Sequence, residues 1–513
     1  MILLCAGFGI FYIVFTLGDL SAGFTSDDAV YLLLADLYTF GTHNELPVYQ
    51  IVREQALFPP LFPMLLGLTG GGSGDFAQSS LITVVCLILA LSLAVFFILQ
   101  QVRPSAAALL PAAVLFLLPG TLVMGQDIWS EFLFMLWLYL IFIVAGHEGE
   151  INHRWIILAV LVALATLTRT AGVTLIPPFL LLLFLGHRRS YWLPAIISTA
   201  PFVAWYVPRE WLRDSPGYTS TLTSSLQDAG TSILQSLPAK ISAMFESLRW
   251  LFAAVDGHPT ATSLGGVLLL VVLLIAGSAF YQRIKAFRFD ALFCLCYLAM
   301  VMVWPFADVY YLSRLIYPVI PLFLLYTTLG ILRNCQVKKH QYVVAGMSMF
   351  LFVLISGPSL HQFVARGFAK VSPELKPYRN DRTWLLAPEP QSALLQNIRF
   401  IVETLRNEVQ GAVSEQDCIY AFQPPFVMLH TKRVSGLLPP PGVPDEQFKR
   451  DTTACRYIVA LPITDLAGLI PEYYPLQRTR NGYVQTSFYQ QPETRSGSAV
   501  FLLRKIADTI RPE

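Results

Sequence analysis

Charge is the first thing this sequence lacks. Only 13% of its 513 residues are Asp, Glu, Lys or Arg, and 55% are hydrophobic, whereas a water-soluble globular chain carries about 25% charged residues. Much of the surface must therefore face something other than water. The formal net charge is only +2, which removes the electrostatic case for nucleic acid as a partner. Cysteine is sparse, with 7 in the whole chain and no zinc-type pair spacing; GxxxxGK[ST] and HExxH are absent as well. That leaves no sequence case for P-loop nucleotide chemistry or a zinc protease site. No internal repeat is evident, which speaks against inverted-repeat transporters.

What the chain has instead is long apolar runs. A membrane span needs about 20 apolar residues, and eleven candidates occur: 1–18, 79–101, 105–123, 130–146, 154–168, 171–186, 190–207, 263–281, 289–306, 313–332 and 341–357. The first resembles a signal peptide, but no A-x-A-like cleavage site follows it, so it reads as a span. The fifth and sixth are separated only by "RTAG"; fused into one helix they would give ten spans and invert everything downstream. Charge bias tests the count. With the N-terminus cytoplasmic, "GHRRSY", "YQRIKAFRF" and "RNCQVKKHQ" fall inside, and 19–78, with seven acids against the single Arg53, falls outside. The expected protein is an α-helical, multi-pass plasma (inner) membrane protein of about eleven transmembrane helices. Its N-terminus is expected in the cytoplasm and its C-terminus outside.

Three segments are too polar to span. Residues 19–78 form a first outer loop, in which "DAVYLLLADLYTFG" and "PVYQIVREQALFPPLFPMLLG" read as short amphipathic stretches lying in the interface plane. Residues 208–262 form a second, with "ISAMFESLRWLFAAV" as an interfacial helix. Residues 361–513 have ordinary soluble composition, with strand-like runs "CIYAF", "RYIVAL", "YVQTSFYQ" and "AVFLLRK"; "PEYYPLQ" and "LLPPPGVPDEQ" read as loops. The division is a transmembrane domain over 1–360 and a small extracytoplasmic α/β domain over 361–513. Cys418 and Cys455 both fall in that outer domain, where the compartment permits a disulfide.

Ionisable residues at the edges of membrane spans are functional candidates by default. Asp27 and Asp28 stand in "TSDDAV" after the first span. They read either as a general base or metal-holding pair, or as a solvated pair in which Ser26 or Asp27 caps a helix. Asp127 and Glu131, in "GQDIWSE", are four apart and would share one helix face, as a second acidic element or as acids that keep a helix end wet. Arg169 in "LTRTAG" and Arg314 in "ADVYYLSRLIYPVIP" sit at outer ends, where the positive-inside rule disfavours them. A guanidinium fork there suits an anion such as phosphate, with snorkelling to headgroups as the alternative; Tyr310 and Tyr311 flank Arg314. "GGGSGD" at 70–75 reads as a flexible linker rather than a phosphate nest, and His43 and His258 stand in outer loops without an evident partner.

In order and spacing, "SDDAVYLLLADLY", "LFPPLFPMLLG", "SEFLFMLWLYL", "LTRTAG" and "YYLSRLIYPVIPLFLLYTTLGI" resemble the GT-C superfamily of lipid-linked-sugar glycosyltransferases, the class of protein O-mannosyltransferases and bacterial aminoarabinose transferases. The likeness covers about the first 330–360 residues. It implies a GT-C-like fold and transfer of a sugar from a polyprenyl-phosphate donor to an acceptor glycan, lipid or protein at the outer face. In that chemistry Asp27 would be the base and Asp28 its support. Asp127 or Glu131 would be the second acid, and Arg314, with Arg169, Tyr310 and Tyr311, would hold the leaving phosphate. Some members of the class use a divalent metal, Mg or Mn. The Asp27–Asp28 pair permits one, although an Asp-x-Asp spacing is absent. No N-x-[ST] sequon occurs, in keeping with a bacterial envelope and an undecaprenyl-phosphate carrier. The rival readings are a surface-polysaccharide polymerase or ligase, a transporter, and a non-catalytic scaffold. The polymerase reading wants its large outer loop between late spans; the transporter reading wants charges near the midplane.

Overall fold

In the computed structural model the described residues are 2–16, 26–39, 46–55, 58–72, 75–102, 106–147, 153–186, 192–211, 233–253, 259–304, 309–334, 338–368, 372, 374–375, 391–421, 423–439, 444–452, 454–460, 483–490 and 499–505. Each of the eleven apolar runs is helical. The helices are Ile2–Thr16, Phe76–Gln101, Ala106–Leu117 with Pro119–Met124, Glu131–Gly146, Arg154–Thr168, Ile176–Gly186, Trp192–Trp211, Pro259–Lys285, Phe289–Val303, Val309–Ile316 with Ile320–Asn334, and Lys338–Gly367. Among the described residues, two helices are long and apolar enough to cross a membrane, Phe76–Gln101 and Tyr311–Arg333. A third span results if Leu269–Lys285 and Phe289–Val303, bent by 115° at their junction, count as one. The count of eleven spans is thus an expectation about helices that proved helical, several of them shorter than a full crossing.

Proline and glycine decide where helices break. "PVYQIVREQALFPPLFPMLLG" holds two helices rather than one: Pro47–Gln55 ends before Pro59 and Pro60, and Leu61–Leu68 starts after them. Arg154–Thr168 stops because Arg169 is extended, at φ −152° and ψ 138°, and a 3-10 turn, Thr170–Leu175, leads into the next helix. The turn folds back so closely that a Cβ on Gly172 would meet the Ala165 carbonyl oxygen at 2.7 Å. The "RTAG" junction therefore separates two helices. Prolines 318 and 321 remove two backbone donors, and the chain answers with a 3-10 turn at Tyr317–Val319. Two carbonyls at this break, those of Leu315 and Pro318, accept from the buried phenols of Tyr297 at 2.8 Å and Tyr139 at 2.9 Å.

Around these breaks the bundle packs on aromatic rings. Phe142 meets Phe97, Tyr139, Phe289 and Phe293 at 5.4–6.1 Å. Trp192, Leu193, Ile196 and Val203 leave one helix face apolar and exposed, a surface that suits lipid better than water.

The C-terminal portion is an α/β unit. Its five strands are β1 Cys418–Ala421, β2 Val434–Leu437, β3 Tyr457–Ala460, β4 Tyr483–Gln490 and β5 Ala499–Lys505, in the order β2-β1-β3-β5-β4. β1 runs parallel to β2 and β3, and β5 runs antiparallel to β3 and β4. Side chains alternate faces, as a strand requires: Ile419, Val459 and Leu502 pack against the helix Gln391–Thr404, and Tyr420, Ile458 and Leu503 pack on the other face. Cys418 and Cys455 are joined by a disulfide, with Cα atoms 4.8 Å apart.

The helix Pro424–Thr431 seats this unit on the first loop. Phe76 meets His430 at 6.1 Å, the Arg406 guanidinium lies 5.5 Å from the Phe76 ring, and Arg406 Nε donates to His430 Nδ1 at 3.2 Å. Lys432 Nζ lies 3.4 Å from Asp36 Oδ2, which also accepts from the Tyr49 hydroxyl at 2.8 Å. "GGGSGD" is no loose linker where it is described. Gly71 and Gly72 are buried, Gly72 N–H donates to Ser79 Oγ at 2.9 Å, and Asp75 caps the following helix by accepting from Gln78 N–H.

Candidate active site

Four charged residues from four separate segments meet beneath the C-terminal unit. Asp27 stands in the first turn of the helix Ser26–Asp36, Glu131 opens Glu131–Gly146, Arg169 is the extended residue between two helices, and Arg314 lies in the last turn of Val309–Ile316, before the proline break. They form an alternating chain. Arg314 donates from Nη1 to Asp27 Oδ2 and from Nε to Glu131 Oε1. Its Nη2 reaches Glu131 Oε2 at 3.2 Å. Arg169 Nη1 pairs with Glu131 Oε1 in turn. Formal charges cancel, two against two.

Burial grades along this chain. The Glu131 side chain is 1% exposed, Arg314 6%, Arg169 13% and Asp27 16%. Asp27, Arg169 and Arg314 line a cavity of about 1100 Å³; Glu131 stands behind the two arginines and does not. The Arg314 guanidinium lies 4.5 Å from the Trp129 ring and 5.9 Å from that of Tyr311, so its apolar faces are covered while its edges carry the ion pairs. The Tyr31 hydroxyl meets Ser130 Oγ at 2.7 Å. Burial first, then the neighbouring carboxylates Glu131 and Asp27, push the Tyr31 phenol far above its ordinary range, and it stays a neutral hydroxyl.

The cavity is closed on one side by the membrane-type helices and loop helices, through Val30, Phe58, Phe202 and Trp304. On the other side stands the C-terminal unit, through Tyr420, Gln423, Met428, all four residues of β2 and the Cys418–Cys455 disulfide. Among the described lining residues the only charges are Asp27, Arg169 and Arg314.

Of the residues singled out in the sequence, the fold brings Asp27, Glu131, Arg169, Arg314 and Tyr311 together. Asp28 is fully buried, its Oδ1 accepting from the N–H of Ala29, and it does not line the cavity. Asp127 is buried too, in the turn 125–130. The expectation that Asp127 and Glu131 share a helix face fails because the helix begins only at Glu131. Ser130 does not cap that helix with its side chain but faces Tyr31. The Tyr310 side chain, His43 and His258 lie outside the described residues. As a metal-holding pair, Asp27 and Asp28 fit poorly. Asp27 is engaged by a guanidinium and Asp28 is buried away from the cavity, and no group of three His, Cys, Asp or Glu that could hold a metal stands among the described residues. Trp129 and Tyr31 were not anticipated, and Ser130 was expected only as a helix cap. "GQDIWSE" carried the signal for two of them, in residues adjacent to the acid.

No family model matches the chain, and no curated protein matches it in sequence. Among solved structures it is similar to ArnT from Cupriavidus metallidurans. The crystal structure bound to undecaprenyl phosphate is 11% identical, with a TM-score of 0.48 over 100% of this chain and 99% of that one. The apo structure is 10% identical, with a TM-score of 0.49 over 98% of this chain and 97% of that one. It is also similar to the arabinofuranosyltransferase AftD from Mycobacteria, 15% identical, with a TM-score of 0.41 over 98% of this chain and 40% of that one.

Proposed function

We propose that the protein is a membrane glycosyltransferase that moves a sugar from a polyprenyl-phosphate donor to an acceptor hydroxyl at the outer face of the membrane. The acceptor oxygen attacks the anomeric carbon, the bond from that carbon to the phosphate oxygen breaks with inversion, and the acceptor proton passes to the Asp27 carboxylate. The polyprenyl phosphate leaves with the bonding pair, and Arg314 and Arg169 face the charge that grows on it. In the resting protein Arg314 is occupied by Asp27. A phosphate competes for that same Nη1 edge, so donor arrival frees the base it needs. The residues on the cavity wall supply the base and two cations for these roles.

One observation carries this reading: a carboxylate and two guanidiniums on the wall of a roomy, mostly apolar cavity at the boundary between apolar helices and a polar unit. A substrate that is half lipid and half sugar needs that combination. The test is D27N expressed at wild-type level in cells lacking the native gene, with lipid-linked sugars and envelope glycans read by mass spectrometry. The expected result is loss of one envelope modification and accumulation of its lipid-linked donor, in line with the roughly 10²–10⁴-fold contribution of a positioned base. Unchanged glycans in D27N would sink the proposal, since a scaffold or transporter has no need of that carboxylate.

A further inference from the structure

We infer that Glu131 is a positioning residue that aims the two phosphate-facing arginines, and that it takes no proton in the reaction. This inference rests on the glycosyl-transfer reading above.

Geometry separates Glu131 from Asp27. Glu131 is the most buried member of the cluster, and it stays off the cavity wall that the other three line. Its two oxygens are both taken: Oε1 by Arg314 Nε and Arg169 Nη1, Oε2 by Arg314 Nη2. A carboxylate held on both oxygens by two guanidiniums, out of reach of the cavity, is a poor candidate for exchanging protons with an acceptor. What it does is fix direction. Side-on pairing through Nε and Nη2 locks the plane of the Arg314 guanidinium, and the Trp129 ring at 4.5 Å covers one face. Only the Nη1 edge is left to trade Asp27 for a phosphate. The same Glu131 oxygen holds Arg169 beside it, so two like charges that would otherwise repel are kept side by side.

A plain charge account and a positioning account predict opposite signs. Replacing Glu131 by glutamine removes one negative charge from the cluster, so electrostatics alone tightens an anion. If Glu131 aims the arginines, its loss lets them part, and anion binding weakens although the site has become more positive.

The experiment measures binding of undecaprenyl phosphate and of undecaprenol to the purified full-length protein in detergent, for wild type, E131Q and E131D. Undecaprenol lacks the phosphate and reports the lipid-binding surface and an intact fold. For undecaprenyl phosphate we expect roughly tenfold to a hundredfold weaker binding in E131Q, the scale at which displaced groups lose their effect, with undecaprenol binding unchanged. E131D keeps the charge but is one methylene too short to span both arginines, and it is expected to weaken the phosphate in the same direction. Unchanged or tighter undecaprenyl phosphate binding in E131Q overturns the inference. If E131Q does not retain undecaprenol binding, E131D, which keeps the charge, carries the test. Weakened phosphate binding with intact undecaprenol binding in E131D supports positioning, and unchanged phosphate binding overturns it. Should wild type itself fail to distinguish undecaprenyl phosphate from undecaprenol, the glycosyl-donor reading fails first, which separates the two failures.

Discussion

Two arginine–carboxylate clusters are buried among the described residues, one beneath the C-terminal unit and one at the far end of the helix Phe76–Gln101, whose 26 residues span about 39 Å. Its first residue, Phe76, packs on His430 of the C-terminal unit. Its last, Gln101, accepts from Arg283 Nη2 at 3.2 Å. At that far end Arg283 grips Asp290 side-on at 2.8 and 2.7 Å across the 115° bend, and the Tyr326 hydroxyl donates to Asp290 at 2.9 Å. The pair closes on itself, one acid to one base, seven residues apart, and none of its members lines the cavity. The near cluster gathers two acids and two bases from four distant segments and opens onto 1100 Å³ of space. Buried ion pairs are poor investments in stability, because desolvation cancels most of the attraction. A compact pair that staples a hairpin has a local reason to exist. A dispersed array that leaves one carboxylate half-open has none unless something enters to use it.

The contrast makes three predictions, from the largest expected effect to the smallest. R314K keeps a positive charge but cannot hold Glu131 side-on and reach Asp27 at once, so sugar transfer is expected to fall roughly 10²–10³-fold, measured as envelope product per folded protein. D290N breaks the far pair and leaves Arg283 uncompensated. It is expected to cost about 3–5 kcal/mol of stability, read as a lowered Tm in detergent, with transfer per folded molecule unchanged. Equal activity losses in R314K and D290N, normalised to folded protein, would erase the distinction between site and staple. The third concerns the contact between Lys432 and Asp36. Burial holds the Lys432 ammonium below the ordinary lysine range, against the pull of Asp36. The folded protein therefore binds this proton less tightly than the unfolded chain. The penalty is full below the depressed value and is relieved as pH rises through it, so stability climbs toward the ordinary lysine range. A pH series of Tm should show that climb in wild type and flatten it in K432M; parallel curves would remove Lys432 as its source.

Much of the fold was legible because it is written in local period. The helices follow from apolar runs, and four of the five strands from alternation in "CIYAF", "RYIVAL", "YVQTSFYQ" and "AVFLLRK". β2, Val434–Leu437, escaped because a four-residue strand containing Ser and Gly has little alternation to display. The helix start was read within one residue of Glu131, but Asp127 was read onto the same face because apolar Ile128 and Trp129 continue the hydrophobic pattern into a turn. Arg169 and Arg314 were visible as cations in the wrong place. That Glu131 bridges them was not, since it depends on the turn at Gly172 bringing Arg169 back over its own helix. The far wall of the cavity, Tyr420, Gln423 and Met428, lies hundreds of residues from Asp27, and no sequence period encodes a contact of that range.

The helix Ser26–Asp36 is a rod of 11 residues, about 16 Å long, with Asp27 at one tip and Asp36 at the other. Lys432 of the C-terminal unit holds the second tip. One rigid rod therefore ties the contact that seats the C-terminal unit to the carboxylate on the cavity wall, so a displacement of one is carried to the other.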